Sequence, residues 1–543
     1  MADQRKRTKL LRALGLPAAA LTILSCSFIV DKNATQCSGN SDCDRFPGTL
    51  CVNQACVVPP CSTNQECVAQ YGQYYICRKP DYRCAKLLSD DCTTVEGNYL
   101  DDAAIVIGSV LPTTGPDSSM GIAMENSVKL AIGDFSSAAN GLPPRPGSTA
   151  RRPIVLVGCS DNSSADTGVR AATHLVNDVG VPAIIGAAFS GISIKVATNV
   201  TIPAGVLLIS PSATSVAITD LQDNGLVWRT APSDAFQASA LALLVPMIEQ
   251  QIRVDLMLKS TDAIKLAIVH KGDAYGKGLG SALEKLLQFN GKPAVDNAGN
   301  YLRFDYGDPG DGDCLNCPAA VTKVLDFKPH ILLDFGTNEA VTQVFKFVES
   351  TWDAQTPYRP RYLFSDGGEI QELSALIDAN NELRSRIRGT VPGTNNLLYK
   401  SFRNQYLSAF PSAPGPDVFG TAGSYDSLYL IGYSVVSLGA TLPTGPNLAA
   451  GLRKMVPPGT QIDVGADKIN NAFAVLTAGQ NIDYNGASGP LNFDINTGEA
   501  PSDIQIWCVP KDANGKATAA QNSGLFFNAA TGSLEGAIGT QCN

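Results

Sequence analysis

Few residues in this chain are of a type and spacing that could run chemistry. The three histidines, His174, His270 and His330, lie far apart, which argues against a His-based metal site or a His-dependent catalytic triad. No Gly-x-Ser-x-Gly elbow, Walker A loop or His-Glu-x-x-His helix occurs, and the carboxylates are scattered. Neither an enzyme nor a bound metal or cofactor is expected. The exception is the set of 15 cysteines. A thiol can accept a lipid, ligate zinc, exchange electrons or form a staple, and its neighbourhood decides which.

The first cysteine follows an export signal. Arg5, Lys6, Arg7, Lys9 and Arg12 form a basic stretch ahead of an apolar run from Leu10 to Leu24, interrupted by Pro17. That run is shorter than the roughly 20 residues a bilayer span needs. Ser25-Cys26 at its end resembles a bacterial lipobox, although Leu24 is larger than that motif prefers. Residues 1–25 read as a leader, Cys26 as the lipid acceptor and 26–36 as a tether, so that the membrane is met through a lipid anchor alone. Ser27 is compatible with sorting to an outer membrane.

Without Cys26 an even 14 cysteines remain, which in an exported chain favours disulfides. Residues 37–92 hold an internal repeat. Cys37, Cys43, Cys51 and Cys56 are separated by five, seven and four residues, and Cys61, Cys67, Cys77 and Cys84 by five, nine and six. Each unit is too small for a core and needs staples. Spacing leaves the connectivity open; the working expectation is interleaved, first with third and second with fourth. Zinc is the weaker alternative, since paired Cys-x-x-Cys knuckles are missing. The modules read as a spacer or docking element. Cys314-Leu-Asn-Cys317 sits in a Gly/Asp loop and reads as a local disulfide rather than a redox centre. Cys508 with Cys542 would tie down the C-terminal segment, and parity leaves Cys92 with Cys159.

The chain has 543 residues, 17% of them charged and 44% hydrophobic, which excludes a disordered chain and permits two to four domains of about 100–200 residues. Loss of the leader's four net positive charges takes the charge from −9 to −13. No basic stripe appears, so nucleic acid is not an expected partner. From about residue 100, short apolar strands alternate with helical patterns. The strand candidates are Ala104–Val110, Ile154–Gly158, Ala183–Ala187, Val206–Ser210, Lys265–Val269, Ile331–Phe335 and Arg361–Phe364. Helix candidates include Gly121–Phe135, Thr167–Val179, Phe236–Gln250, Lys277–Leu287 and Ala340–Ser350. Strands apolar throughout, each followed by a helix, predict an α/β fold with parallel sheets covered on both faces. A pause at Arg229-Thr-Ala-Pro-Ser-Asp234 predicts a crossover between two lobes.

Six ordered segments carry a resemblance: Ile107–Gly115, Val181–Ser190, Leu208–Ser215, Lys265–Gly278, Gly423-Ser-Tyr-Asp-Ser427 and Gly486–Asp494. Over about residues 100–510 the chain resembles the type I periplasmic binding proteins of the Leu/Ile/Val-binding class. The resemblance implies two Rossmann-like lobes, a three-crossing hinge and a ligand cleft. One lobe would be 100–232 with 393–480, the other 233–392 with 481–510, leaving 511–543 as a tail. It implies capture of a branched-chain or other small amino acid, or a related amide, for ABC permease subunits. A ligand-sensing surface receptor is the alternative that the Cys-rich modules favour.

Open α/β sheets bind ligands beyond the carboxyl ends of their strands. The resemblance places ligand contacts at Ser190, through its hydroxyl and backbone, and at the turn Ser212, Ala213 and Thr214, which would meet an amino acid's head group with the Ser212 carbonyl and the Thr214 hydroxyl and N–H. Ser190 also suits a helix N-cap, and Pro211 alone could explain the second turn. Tyr275 would close over the ligand, and Asn338 with Thr337 would add contacts. The ammonium needs a carboxylate: Asp366, with Glu369 competing. Asp334, inside an apolar strand, reads as a strand-end acid capped by N–H groups. Ser118, Ser119 and Met120, Ser160-Asp161-Asn162, and Phe189 depart from the family pattern, which leaves the side-chain preference open.

Overall fold

The computed structural model describes residues 35–542 apart from 45, 53, 80, 311 and 394–396, and the leader, Cys26 and most of the tether lie outside the described residues. The chain divides into two compact units at Pro59/Pro60. The first holds one Cys module, a hairpin of Leu50–Val52 and Ala55–Val57 stapled by Cys37–Cys51 and Cys43–Cys56. Cys37 and Cys43 are buried while Phe46, Val57 and Val58 are exposed, so sulfur replaces an apolar core.

The second unit opens with the other module. Helix Asn64–Tyr71 starts at Thr63, whose side chain accepts from Glu66 N, and packs beside the hairpin Tyr75–Arg78/Arg83–Lys86. Cys61–Cys77 and Cys67–Cys84 repeat the first-with-third, second-with-fourth order. All eight module sulfurs are spent in disulfides, which removes the zinc alternative. This module is no free spacer. Ile76, Ala85 and Leu87 join an apolar cluster with Leu175, Val179 and Val181, while Arg78 and Arg83 donate to the carbonyl of Asn177 at 2.6 and 2.8 Å.

The first lobe is built on six strands: β1 (Cys92–Glu96), β2 (Ile105–Leu111), β3 (Ile154–Ser160), β4 (Ala183–Gly186), β5 (Leu207–Ser210) and β6 (Val227–Arg229). Their order is β6-β5-β4-β2-β3-β1, all parallel except β1, which runs antiparallel at the edge. β2 to β5 are almost wholly buried, as strands covered on both faces must be. β1, short and mixed in polarity, gave no periodic signal, so the lobe begins at Cys92 rather than 100; Cys92–Cys159 ties it to β3. At the end of β4, Gly186 has φ +134°, and a Cβ there would sit 2.2 Å from the carbonyl oxygen of Val110. The strand therefore needs glycine to turn toward Ser190.

The second lobe holds β7 (Leu266–His270), β8 (Tyr301–Asp305), β9 (Ile331–Phe335), β10 (Arg361–Phe364), β11 (Ile387–Pro392), β12 (Ile504–Cys508), β13 (Gln521–Asn528) and β14 (Ser533–Gly536). The order is β8-β7-β9-β10-β11-β12-β13-β14, parallel through β11 and antiparallel beyond it. Two boundaries differ from expectation. Residues 482–500 stay with the first lobe, because Leu491, Phe493 and Ala500 pack in its core and Phe493 meets Trp228 edge-on at 5.1 Å. Residues 511–543 are not a mere tail. Ser523, Leu525 and Phe527 alternate inward along β13, which extends the second sheet, and Cys508–Cys542 closes the segment. Cys314–Cys317 is a local bridge.

The chain passes between the lobes three times: after β6, after β11 and before β12. These passages run side by side, with Gly393 N donating to Asp503 O at 3.1 Å and Arg229 bridging Glu499. After the second passage the chain returns to cover the first sheet. Helix Thr421–Ser437 is buried along nearly its whole length and packs Tyr429 on Phe135 of helix Ser118–Ala139 at 5.0 Å. Within it Asp426 accepts from Ala487 N, Ser488 N and Tyr484 Oη at 2.7–3.0 Å, joining the two late motifs noted in the sequence. Burial raises Asp426 to about 6 against those hydrogen bonds.

Candidate functional site

Residues from both lobes converge on a small cavity of about 40 Å³, room for a few water molecules. The first lobe contributes Asp117, Ser119, Met120, Ala188, Phe189, Ser190 and Ser212; the second contributes Tyr275, Thr337, Asn338, Asp366, Gly367, Glu369, Ile370 and Glu372. Val418 and Phe419, from the returning segment, complete the lining. Of the residues expected at the ligand, Ser190, Ser212, Tyr275, Asn338 and Asp366 line this cavity, and so does the competing Glu369. Ala213 and Thr214 sit behind the surface, both 1% exposed. A larger cavity of about 660 Å³ adjoins it on the hinge side, and Glu369, Val418 and Phe419 line both.

The first-lobe wall is made of turns that hydrogen-bond to each other. Phe189 caps helix Ser190–Val196, which makes Ser190 its first residue rather than its cap. Ser190 Oγ instead accepts N–H groups from the neighbouring turn, Thr214 N at 3.2 Å and Ser215 N at 3.1 Å. Ser212 Oγ donates to Ala188 O at 2.8 Å. Thr214 Oγ1 is buried beside the Asp234 carboxyl, whose charge it favours. The carbonyl of Ala213 faces away from the cleft and accepts from Arg229 Nη1 at 3.2 Å; that of Ser215 does so at 2.8 Å. Arg229, itself buried, pairs with Glu499 and so anchors this turn. The sequence showed Arg229 only as the start of a pause in the pattern.

The second-lobe wall carries the charge. Tyr275 Oη donates to Asp366 Oδ1 at 2.6 Å and lies 2.7 Å from Ser365 Oγ. Gln237 Nε2 donates to the same oxygen at 2.7 Å and to Asp234 Oδ1 at 3.3 Å, while Thr390 holds the amide's other end at 3.0 Å. Sequence reasoning missed Gln237, which sits in helix Asp234–Asp255 among residues that read as ordinary helix. Burial raises the Asp366 carboxyl, although the bonds from Tyr275 and Gln237 pull the other way. Burial, then the like charge of Asp366, holds Asp234 well above the usual carboxylate range. Burial and the same charge keep Tyr275 a phenol.

The lobes meet directly around this cavity. Ser215 Oγ donates to Ala274 O at 2.8 Å, and Lys271 Nζ lies 5.4 Å from the ring centre of Phe189. Burial disfavours the Lys271 charge, but Glu339, Asp273, Asp308 and Asp117 outweigh that and hold it above its ordinary range. Asp161, nearby in the first lobe, is raised to about 7 by burial and the charge of Asp117. Asp334 departs from expectation. Neither of its oxygens has a hydrogen-bond partner, so no N–H groups cap it, and burial with the charge of Glu339 holds it well above the carboxylate range. It does not line the cavity.

A first wall rich in hydroxyl and backbone groups, facing a second wall with a phenol and carboxylates led by Asp366, can hold a zwitterion. The first wall has groups for an anion and the second a partner for a cation. A family model described as periplasmic binding protein matches residues 104–514, well over half of the chain. Leu/Ile/Val-binding protein homolog 3 of Brucella melitensis is 30% identical over 225 residues, which is 41% of this chain and 51% of that protein. The substrate-binding protein BasB of a chemotactic signal transduction system in Halobacterium salinarum is 26% identical over 404 residues, 73% of this chain and 84% of that protein. The chain spans about half the length of the first two Leu/Ile/Val-binding relatives it matches. In fold it is similar to the branched-chain amino acid substrate-binding protein LivJ of Streptococcus pneumoniae, solved with isoleucine. That match has a TM-score of 0.54 at 19% identity and covers 77% of this chain and 99% of that one. The chain belongs to the periplasmic binding protein family.

Proposed function

We propose that this chain is the extracytoplasmic solute-binding subunit of an ABC importer. It captures a small amino acid or related amide between its lobes and delivers it in the closed form to permease subunits. The observation that supports this most is the convergence of Ser190, Ser212, Tyr275, Asn338 and Asp366, from five separate segments, on one interlobe cavity. The ligand's carboxylate would meet the Ser190 hydroxyl and the turn 212–214, and its ammonium would meet Asp366. Kinship points to the branched-chain amino acids named for the relatives. A cavity of about 40 Å³ is too small for any of them, so the lobes must part to admit ligand and close by hinge motion. In this reading residues 1–25 are removed, and a lipid on Cys26 holds the protein at the cell envelope.

Titration calorimetry of the mature chain against the amino acids and their amides tests the proposal. A saturable response to at least one of them, lost in Asp366→Ala and Ser190→Ala, is the expected result. Silence across the whole panel would overturn it. The relationship to a chemotactic substrate-binding protein favours a second reading, a surface receptor with the same cleft. Genes for a permease and an ATPase beside this one would decide for transport.

A further inference from the structure

Four carboxylates line the interlobe cavity: Asp117 from the first lobe and Asp366, Glu369 and Glu372 from the second. No lysine or arginine is among the lining residues. Asp117 and Asp366 are only 8% and 6% exposed. The donors on Asp366 are a phenol and an amide, both neutral. Glu372 Oε2 is shut off from water and has no hydrogen-bond partner. Burial, then the charges of Asp417 (itself paired with Arg403 in the adjoining cavity) and of Asp366, hold Glu369 well above the usual carboxylate range.

A neutral aliphatic amino acid brings one ammonium, and Asp366 uses it. Glu369 and Glu372 would then face an apolar side chain across a closed cleft. Both carboxylates are half-buried, and closure against an apolar side chain would strip more of their hydration with no partner in return. Lys271 does not line the cavity, and its charge is met by Glu339, Asp273, Asp308 and Asp117. A second positive charge on the ligand solves the problem at once. We infer that the cleft takes a basic amino acid, whose side-chain cation sits between Glu369 and Glu372 while its α-ammonium sits on Asp366. This deepens the reading of the cleft as an amino-acid site and rests on it.

The test compares lysine, ornithine and arginine with leucine, isoleucine and valine by calorimetry at pH 8. The mature chain is measured first, then Glu369→Gln, Glu372→Gln and the double variant. The expected result is at least tenfold tighter binding of one basic amino acid than of any aliphatic one. The double variant should shrink that ratio by at least tenfold. Tighter binding of an aliphatic amino acid by the unaltered chain overturns the inference and leaves the amino-acid site standing. An unchanged ratio in a folded double variant also overturns it. Binding of neither class brings down the underlying reading itself.

Discussion

The two walls of the cleft are built on different principles. On the first lobe, Ser190, Ser212 and Ser210 spend their hydroxyls on backbone groups of neighbouring turns, so the ligand surface and the local fold are the same hydrogen bonds. On the second lobe, Tyr275, Gln237 and Asp366 form a side-chain network around a carboxyl that burial disfavours. The first wall should therefore fail in stability and binding together. The second should fail in binding alone, because its acids are held at a cost that ligand relieves.

The largest effect is expected at the second wall. Asp366→Asn should weaken amino-acid binding by about 100-fold or more, the loss of a charge-assisted partner worth roughly 2–3 kcal/mol. The unliganded protein should melt no lower than before, since the carboxyl it replaces is raised by burial; a fall of several degrees would break the comparison. Next comes pH. A buried acid raised above its unfolded value binds more protons when folded, so stability falls as pH climbs through that window. For Asp161, raised to about 7, the loss between pH 5 and 8 is roughly 2–3 kcal/mol. Thermal melts should show it on top of the loss from Asp426, raised to about 6, and Asp161→Asn should remove the Asp161 share alone. Asp117 and Lys271, which face Asp161, act in opposite directions and stay unchanged in that variant.

At the first wall, Ser190→Ala strands two buried N–H groups. It should cost about 1–3 kcal/mol of stability together with about tenfold in affinity, read by denaturation and calorimetry on the same sample. Loss of affinity without loss of stability would erase the distinction between the walls. The smallest effect belongs to the contact between them. Ser215→Ala removes the bond to Ala274 O, worth about 0.5–1.5 kcal/mol, and should shift the unliganded protein toward an open form with a larger radius of gyration in solution scattering.

Much of the scaffold was legible because its signals are local. The seven expected strands lie within one or two residues of β2, β3, β4, β5, β7, β9 and β10. Each is an apolar run that must be covered on both faces. β1, β6, β8, β11, β12, β13 and β14 were not among the expected strands: β1 is mixed in polarity, and β13 carries the half-buried alternation of an antiparallel strand in a segment that read as a tail. Ser190, Ser212 and Tyr275, expected at the cleft from the family resemblance, follow strands closely and do line the cavity. Gln237 and Arg229 could not, since nothing in a helix or at a crossover marks which polar side chain faces another element. Asp334 shows the same limit from the other side. The sequence marked it as unusual, but only the packed sheet shows that nothing caps it.

Apolar runs, prolines, glycines and the even set of 14 cysteines that follow Cys26 determine two α/β lobes, stapled modules and the turns that end each strand. Those preferences act over a few residues or through covalent bonds, so one chain suffices to read them. The tertiary structure alone decided that the second module packs into the first lobe's core. It alone also brought Asp117 to the same cavity as Asp366, Glu369 and Glu372. The energy of a buried charge depends on distances between groups far apart in the chain, and no local pattern encodes those distances.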